Sequence, residues 1–557
     1  MRTTANLSLS GIAVSPGLAA GKAFLFHDIF EREITGCAID AHQSDAELAR
    51  LEEAFVEVIA HLEEAAQHVA DLLDSAVADI FRAHQAILED DRLAAEIKGE
   101  IETELVCAEQ AVQRVFRRWE RRFRKSENQS LRQRGDDLTD LGRRLLRSLA
   151  GVHAHSLERM PEESVLVARR LLPSETVFLS HRSTAGVVVQ TGGRGSHCAV
   201  LTRAMGIPAV VHPGDILQII APGDELLVDG LNGQVIARPD ASKASSFRSR
   251  VRHYASIVSE ARAKASEPAI TLDGVTIPVM ANVGGRDDVE RALANGADGI
   301  GLYRIETFYL GLKSFPAEDE LLDELGGVLE PLKGKPVCVR ILDIGGDKPL
   351  PYLPLPLEPN PNLGRRGIRL LLDYPEVLRK QLRVLLRLSR EHDLLILVPM
   401  VTVADDMRRV AGLLRETAAG LGIQEIPPLG AMIETPAAAL YPDEIVAESN
   451  FVSLGTNDLT QFMMAADREN PLVARYYHED HPSCLRAIEA LCRRAQGMQV
   501  AVCGELAAES AALGRLLQAG VGLLSVAPPL VPLVKETIRN STASQECRSG
   551  IPNMQAL

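Results

Sequence analysis

Through residues 44–74 apolar side chains recur at three- and four-residue spacing, at Leu48, Leu51, Phe55, Ile59, Leu62, Val69 and Leu73, with glutamates between them. At 3.6 residues per turn these positions share one face, so the stretch predicts an amphipathic helix. Further helical patterns at 79–89, 109–125 and 137–149, joined by short polar turns, predict a helical hairpin subdomain spanning 27–149. Ahead of it, 11–26 alternates small apolar residues with turn formers and predicts a strand pair around Ser15-Pro16-Gly17. Between 164 and 238 the texture changes to short apolar strands (165–167, 186–189 and 209–211) separated by Gly/Pro turns and one short helix. The Ala-, Arg- and Ser-rich stretch 239–265 predicts a connecting helix.

From 268 onward the alternation is regular. Strands are predicted at 277–281, 299–302, 337–342, 394–398, 429–433, 451–454 and 499–502, with an eighth near 367–370 and helical patterns between most of them. Alternating βα units over this length predict a (β/α)8 barrel. The fold class is therefore multidomain α/β. A β/α domain built from 1–26 and 150–238 carries the helical insertion, 239–267 links it onward, and 268–557 forms the barrel.

Length and charge narrow the reading. The 557 residues suit roughly three or four domains. A hydrophobic fraction of 46% can fill several cores, which excludes disordered, collagen-like and rod-like chains. Sixty Lys+Arg against 75 Asp+Glu leave a net charge of −15, which argues against nucleic acid or an anionic membrane as partner. The N-terminus has no signal-peptide pattern, and the purest apolar run, 394–398, is too short to cross a bilayer. The eight cysteines form no CxxC pair, so no disulfide framework and a reducing, cytoplasmic home are expected.

Chemistry collects where the barrel strands should end, the functional face of such barrels. Arg304, Arg340 with Asp343, Asp347-Lys348, Glu434, Asn457-Asp458 and Cys503 all fall at or just after predicted strand ends. Glu434 and Asp458 close successive strands, about 4.8 Å apart, and their carboxylates suit one hard cation such as Mg²⁺. Alternatively they are two unrelated carboxylates at helix N-termini. With Arg304, Arg340 and Arg468 nearby, the site suits a small multiply charged anion. Upstream, TGGRGSH at 191–197 follows a strand and precedes a helix over 198–205. Its amides can converge on phosphate oxygens, and a ring nitrogen of His197 could accept a phosphoryl group. A dinucleotide loop is excluded by the missing GxGxxG spacing, and the other reading is a structural turn with an incidental histidine.

In collinear order the chain carries SPG near Ser15, AHQAILEDD (83–91), GDDLTDLGRRLL (135–146), GGRGSH (192–197) and GADGIGLYR (296–304). RILDIGGDK (340–348), NPNLGRRGIR (360–369), ETPAA (434–438), SLGTNDLTQF (453–462) and CGELA (503–507) follow. This set resembles the phosphoenolpyruvate–protein phosphotransferase family, Enzyme I of the bacterial sugar phosphotransferase system. GGRGSH is shared with pyruvate phosphate dikinase and phosphoenolpyruvate synthase, but those carry an ATP-grasp module where this chain has a helical insertion. The resemblance implies a phosphohistidine at His197, bonded through Nε2, and phosphoenolpyruvate held by Arg304, Arg340, Asn457, Asp458 and Arg468. It implies Mg²⁺ on Glu434 and Asp458, and protonation of the enolate by Cys503. It further implies a swivel of the phosphohistidine domain about the 239–265 connector, docking of the phosphocarrier protein HPr on the helical subdomain, and a homodimer formed through the barrel. His84 falls in the docking-helix motif; alternatively it is a packed helical histidine.

The chain departs from the family pattern at several places. Leu172 replaces a threonine, Arg170 an acidic residue, Ile341 a threonine and Arg365 an apolar residue. Ile305 and Thr307 interrupt the usual Arg-Thr-Glu-Phe run, His212-Pro213 replaces Gly-Thr, and the tail beyond Arg539 is short. No charge-bearing site residue is affected. Two other readings are a regulatory, nitrogen-type paralogue with the same chemistry and a non-catalytic phospho-responsive scaffold. The basic run 117–125 reads as a solvated helix face or a patch for an acidic partner.

Overall fold

A computed structural model describes residues 6–26, 37–72, 84–85, 87–89, 91–124, 129–151, 157, 160–171, 175, 179, 183–192, 197–310, 312, 314–346, 350, 352–353, 355–356, 358–468, 470 and 473–543. The chain divides into two compact units, Met1–Ala255 and Ser256–Leu557.

The first unit is built on an eight-stranded sheet. Its strands are β1 (Leu7–Ser10), β2 (Ile12–Ser15), β3 (Leu18–Phe26), β4 (Val165–Ala168), β5 (Gly186–Val189), β6 (Ala209–Val211), β7 (Glu225–Asp229) and β8 (Gln234–Ala237). Their order is β1-β8-β7-β3-β4-β5-β6-β2, with β3 to β6 parallel. Successive side chains of a strand point to opposite faces. Leu166, Val187 and Val189 accordingly fill one core, and Val165, Val167 and Val188 another. Burial on both faces explains why these strands read as unbroken apolar runs.

The predicted strand pair at 11–26 is two strands that do not pair with each other. The turn at Pro16-Gly17 sends β3 to the middle of the sheet, between β7 and β4, while β2 closes the far edge against β6. Strands β1, β7 and β8 were not anticipated.

Helices Ser44–Leu72, Asp91–Glu104, Ala108–Arg124 and Gln129–Leu149 are inserted between β3 and β4. They close on Leu51, Leu62, Ile97, Val112, Phe116, Leu141 and Leu145. The predicted helix at 79–89 lies largely outside the described residues, though 84–85 and 87–88 are helical. Helix Asp91–Glu104 escaped the sequence reading because its buried stripe, Leu93, Ile97 and Ile101, is narrow among acidic neighbours. The expectation of no disulfide is also corrected. Backbone bonds from Ile39 to Leu105 and from Cys107 to Cys37 draw two chain segments together. Cys37 and Cys107 then stand 5.5 Å apart at Cα and are disulfide-bonded.

The second unit is a closed barrel of eight parallel strands. These are β9 (Val279–Val283), β10 (Ile300–Arg304), β11 (Val337–Arg340), β12 (Leu394–Val398), β13 (Leu429–Ile433), β14 (Phe451–Leu454), β15 (Val500–Val502) and β16 (Leu523–Val526). The eighth strand predicted near 367–370 is instead the start of helix Ile368–Asp373, whose Leu370 and Leu371 pack against the barrel. The strand that closes the ring is β16, pairing with β15 and β9. Four residues between a glycine turn and Pro528-Pro529 gave it little pattern to recognise. Helix Ala241–Ala263 runs across the boundary between the two units. Among the described residues no helix is long and apolar enough to cross a membrane.

Candidate active site

The barrel strands deliver their last residues to one rim, and there the side chains turn from apolar to ionic. Arg340 ends β11 and is buried. Its Nη2 donates to Glu306 Oε1 at 3.1 Å, and its Nη1 lies 3.3 Å from Asp343 Oδ2. Asp343, three residues on, takes a fork from Arg366, with Nε and Nη2 donating at 3.1 and 3.0 Å. The same guanidinium donates Nη1 and Nη2 to the two oxygens of Asp458, both at 2.9 Å. Arg468 approaches Asp458 at 3.7 Å. Carboxylates and guanidiniums therefore alternate through the interior in the order Glu306, Arg340, Asp343, Arg366, Asp458 and Arg468. Such forks match carboxylate geometry and fix both partners in a plane.

This ladder sets the ionisation of the rim. Burial works against the charge on Arg366, but Asp343 and Asp458 outweigh it and raise its pKa. Arg340 is raised likewise by Glu306, Asp343 and Glu434 against its own burial. Burial also works against the Asp458 carboxylate, yet Arg468 and Arg366 hold it below the usual range. Glu434 moves the other way. It is pushed up by burial and then by Asp458 and Asp343, and its Oε1 accepts from the Met400 N–H. A Cβ on Gly455 would sit 2.6 Å from Glu434 Oε2, so only glycine lets this carboxylate lie against the backbone after β14.

Glu434 and Asp458 could hold a hard dication, Asp458 with both oxygens already accepting from Arg366. Both offer only oxygen, and the crowding of carboxylates that raises Glu434 is what a cation would relieve. Among the described residues no group of three or more His, Cys, Asp or Glu side chains forms a closed cage. The remaining positions would thus fall to a ligand's oxygens and water.

Cys503 follows β15 and is buried. Ser453 Oγ lies 3.4 Å from its sulfur, and Leu454 O is also at 3.4 Å. Burial pushes its thiol up to about 11, with Ser453, Arg340 and Arg304 opposing and Glu434 adding. Asn457 Oδ1 accepts from Glu505 N–H at 2.8 Å, which ties the rim after β14 to the rim after β15. Arg304 stands exposed at the end of β10.

The predicted residues Arg340, Asp343, Glu434, Asp458, Arg468 and Cys503 are thus brought into one electrostatic neighbourhood, with Arg304 acting on the Cys503 thiol. Asp347-Lys348 and Leu172 lie outside the described residues. His197 opens helix His197–Met205, with 193–196 outside the described residues. His84 is fully buried, its Nδ1 3.6 Å from Asp140, which supports the packed-histidine reading. Within the basic run Arg118 reaches Glu100, which also takes Arg114, and Trp119 Nε1 donates to Glu96, both on the neighbouring helix.

Sequence reasoning passed over Arg366 and Glu306. Both lie inside segments already singled out, but only the fold shows that Arg366 reaches across the barrel from 366 to 458.

Three family profiles match this chain. The PEP-utilising enzyme N-terminal profile covers 10–134, its mobile-domain profile 160–233 and its PEP-binding-domain profile 258–543. The chain is 39% identical over 528 residues to the phosphoenolpyruvate-protein phosphotransferase of Geobacillus stearothermophilus, covering 93% of this chain and 90% of that one. It is 36% identical over 548 residues to that of Bacillus subtilis strain 168, with 97% and 95% covered. With that of Haemophilus influenzae the identity is 35% over 540 residues, with 96% and 94% covered.

Proposed function

We propose a function for a chain that belongs to the phosphoenolpyruvate-protein phosphotransferase family. It takes the phosphoryl group of phosphoenolpyruvate onto His197 and passes it to a histidine of the carrier protein HPr, starting the sugar phosphotransferase relay. One observation carries the assignment to this rim: the alternating ladder that ends with Arg366 forked across Asp343 and Asp458. A set of arginines held in place before any ligand arrives is what a highly charged, loosely bonded phosphoryl group requires.

Arg304, Arg340, Asn457 and Arg468 bind phosphoenolpyruvate, and Glu434 with Asp458 would hold Mg²⁺, which adds positive charge beside the phosphoryl oxygens. Nε2 of His197 attacks phosphorus as the bond to the enol oxygen breaks. The arginines take up the charge left on the enolate. Cys503, still protonated because burial raises its pKa, gives its proton to the enolate carbon, and pyruvate leaves. The thiolate regains a proton from water before the next turnover.

The β/α domain, 1–26 with 150–238, carries the phosphoryl group. The helical subdomain 27–149 receives HPr, and the barrel 268–557 binds substrate and forms a homodimer. The connector 239–267 permits the swivel between donor and acceptor. A cytoplasmic location follows from the donor, a metabolite kept inside the cell.

The test is isotope exchange between pyruvate and phosphoenolpyruvate by the full chain with Mg²⁺. Exchange is expected, and His197→Ala should abolish it together with HPr labelling. Labelling of HPr that survives His197→Ala would overturn the acceptor assignment, and a wild-type chain without exchange would overturn the enzymatic reading.

A further inference from the structure

Glu306 takes no part in the reaction as derived above, yet its carboxylate is among the most constrained groups on the rim. It is buried and opens the short helix Glu306–Leu310 directly after β10. A single oxygen, Oε1, accepts from Arg340 Nη2 at 3.1 Å and from the Asp343 backbone N–H at 2.7 Å. Among the described residues the other oxygen, Oε2, is buried without a hydrogen-bond partner, and so is Nε of Arg340. A half-satisfied buried carboxylate is costly, and cores retain such groups rarely and for a reason.

The reason lies in what Oε1 holds. Arg340 has a long, flexible side chain, and a guanidinium that must be ordered by its ligand loses binding free energy in the ordering. The Asp343 N–H belongs to the turn that brings the Asp343 carboxylate to Arg366. One oxygen therefore fixes the first arginine of the ladder and the backbone that carries its next carboxylate. We propose that Glu306 is a positioning residue for phosphoryl transfer, presetting Arg340 and the turn at Asp343 so that phosphoenolpyruvate meets a finished array. This rests on the reading above that Arg340 binds phosphoenolpyruvate.

The test uses the full chain with Mg²⁺ and the exchange assay, with the wild type run alongside. Glu306→Gln keeps the shape and an acceptor oxygen but loses the charge that strengthens both hydrogen bonds. Its KM for phosphoenolpyruvate should rise roughly five- to tenfold, with a smaller fall in kcat. Glu306→Ala should show a larger effect of the same kind. Transfer from phosphorylated HPr back to His197 needs none of the barrel arginines and should be unchanged in the Gln variant. A Gln variant with KM within twofold of wild type, or one that loses both half-reactions equally, overturns the proposal. A wild type that fails to exchange would instead sink the parent reading and leave the two failures distinct.

Discussion

In the proposed reaction the proton donor to carbon has to reach its substrate still protonated, and the surroundings of Cys503 would keep it that way. Its thiol is buried, and burial lifts it to about 11, so thiol dominates across the neutral range. The sign follows from the charge: the thiolate is the ionised form, burial disfavours it, and only above the raised pKa does it accumulate. At neutral pH the thiolate fraction is then roughly a hundredfold below that of an ordinary thiol. Native-state alkylation with iodoacetamide at pH 8 should therefore modify Cys503 about a hundred times more slowly than a small free thiol. Peptide mass mapping against time reads this directly, and modification at the rate of a free thiol would mean that the sulfur is neither buried nor held as drawn. Much of this site was legible in the sequence, because Arg340, Glu434, Asp458 and Cys503 each close or follow a short apolar strand. Arg366 and Glu306 were not legible as members of it. Their partners lie 23 to 92 residues away in the chain, and nothing local distinguishes an arginine that crosses a barrel from one that meets solvent.

Among the elements, legibility followed periodicity. Helix Ser44–Leu72 and strands such as β12 and β13 repeat their apolar residues in a pattern that one solution satisfies. The edge strand β1 alternates leucine with serine and the ring-closing β16 runs into Pro528-Pro529, so neither offers the unbroken apolar run that made a strand as short as β6 legible. The Cys37–Cys107 disulfide has a cause of the same kind, since a separation of 70 residues leaves no spacing signature. It ties the entrance of the helical subdomain to the residue before helix Ala108–Arg124, beside the bridge between Ala38 and Val106. Closing a loop of that size restricts the unfolded subdomain more than the folded one, which stabilises the fold by about 2–4 kcal/mol. Non-reducing peptide maps of the oxidised chain should contain the Cys37–Cys107 pair. Cys107→Ser should lower the stability of the helical subdomain by that amount in denaturant titration, with barrel unfolding unmoved. Equal stability of the variant and the oxidised wild type would show that the bond contributes nothing to the subdomain.

At the scale of the whole chain, the connector matters because phosphoryl transfer as proposed needs movement at one place and firmness at another. Helix Ala241–Ala263 is tied to the first unit near its start, where Arg248 pairs with Glu225 and Arg250 reaches Asp229 at 2.9 Å. Arg248–Glu225 is an exposed pair and correspondingly weak, whereas the Asp229 carboxylate that Arg250 reaches is buried. Beyond its end the chain is held quite differently. Lys535 is fully buried on helix Val531–Arg539, and its ammonium contacts the carbonyls of Ala265 at 3.1 Å and Gly296 at 2.7 Å and the Asp298 carboxylate at 2.7 Å. Arg539, one turn later, donates to the carbonyls of Lys264 and Glu267 at 2.9 and 2.8 Å. These two cations clamp the segment 264–267 onto the barrel, so the movement that the proposed transfer needs would arise upstream of it. Lys535→Met would leave the Ala265 and Gly296 carbonyls without their ammonium partner in a buried place, at a cost of about 3 kcal/mol to the second unit. Hydrogen exchange should then quicken at the amides of 264–267 and around Gly296, while the sheet of the first unit keeps its protection. Undiminished protection at 264–267 in a variant that has lost stability elsewhere would show that the clamp is not what fixes the connector, and the compliant region would have to be sought nearer the barrel.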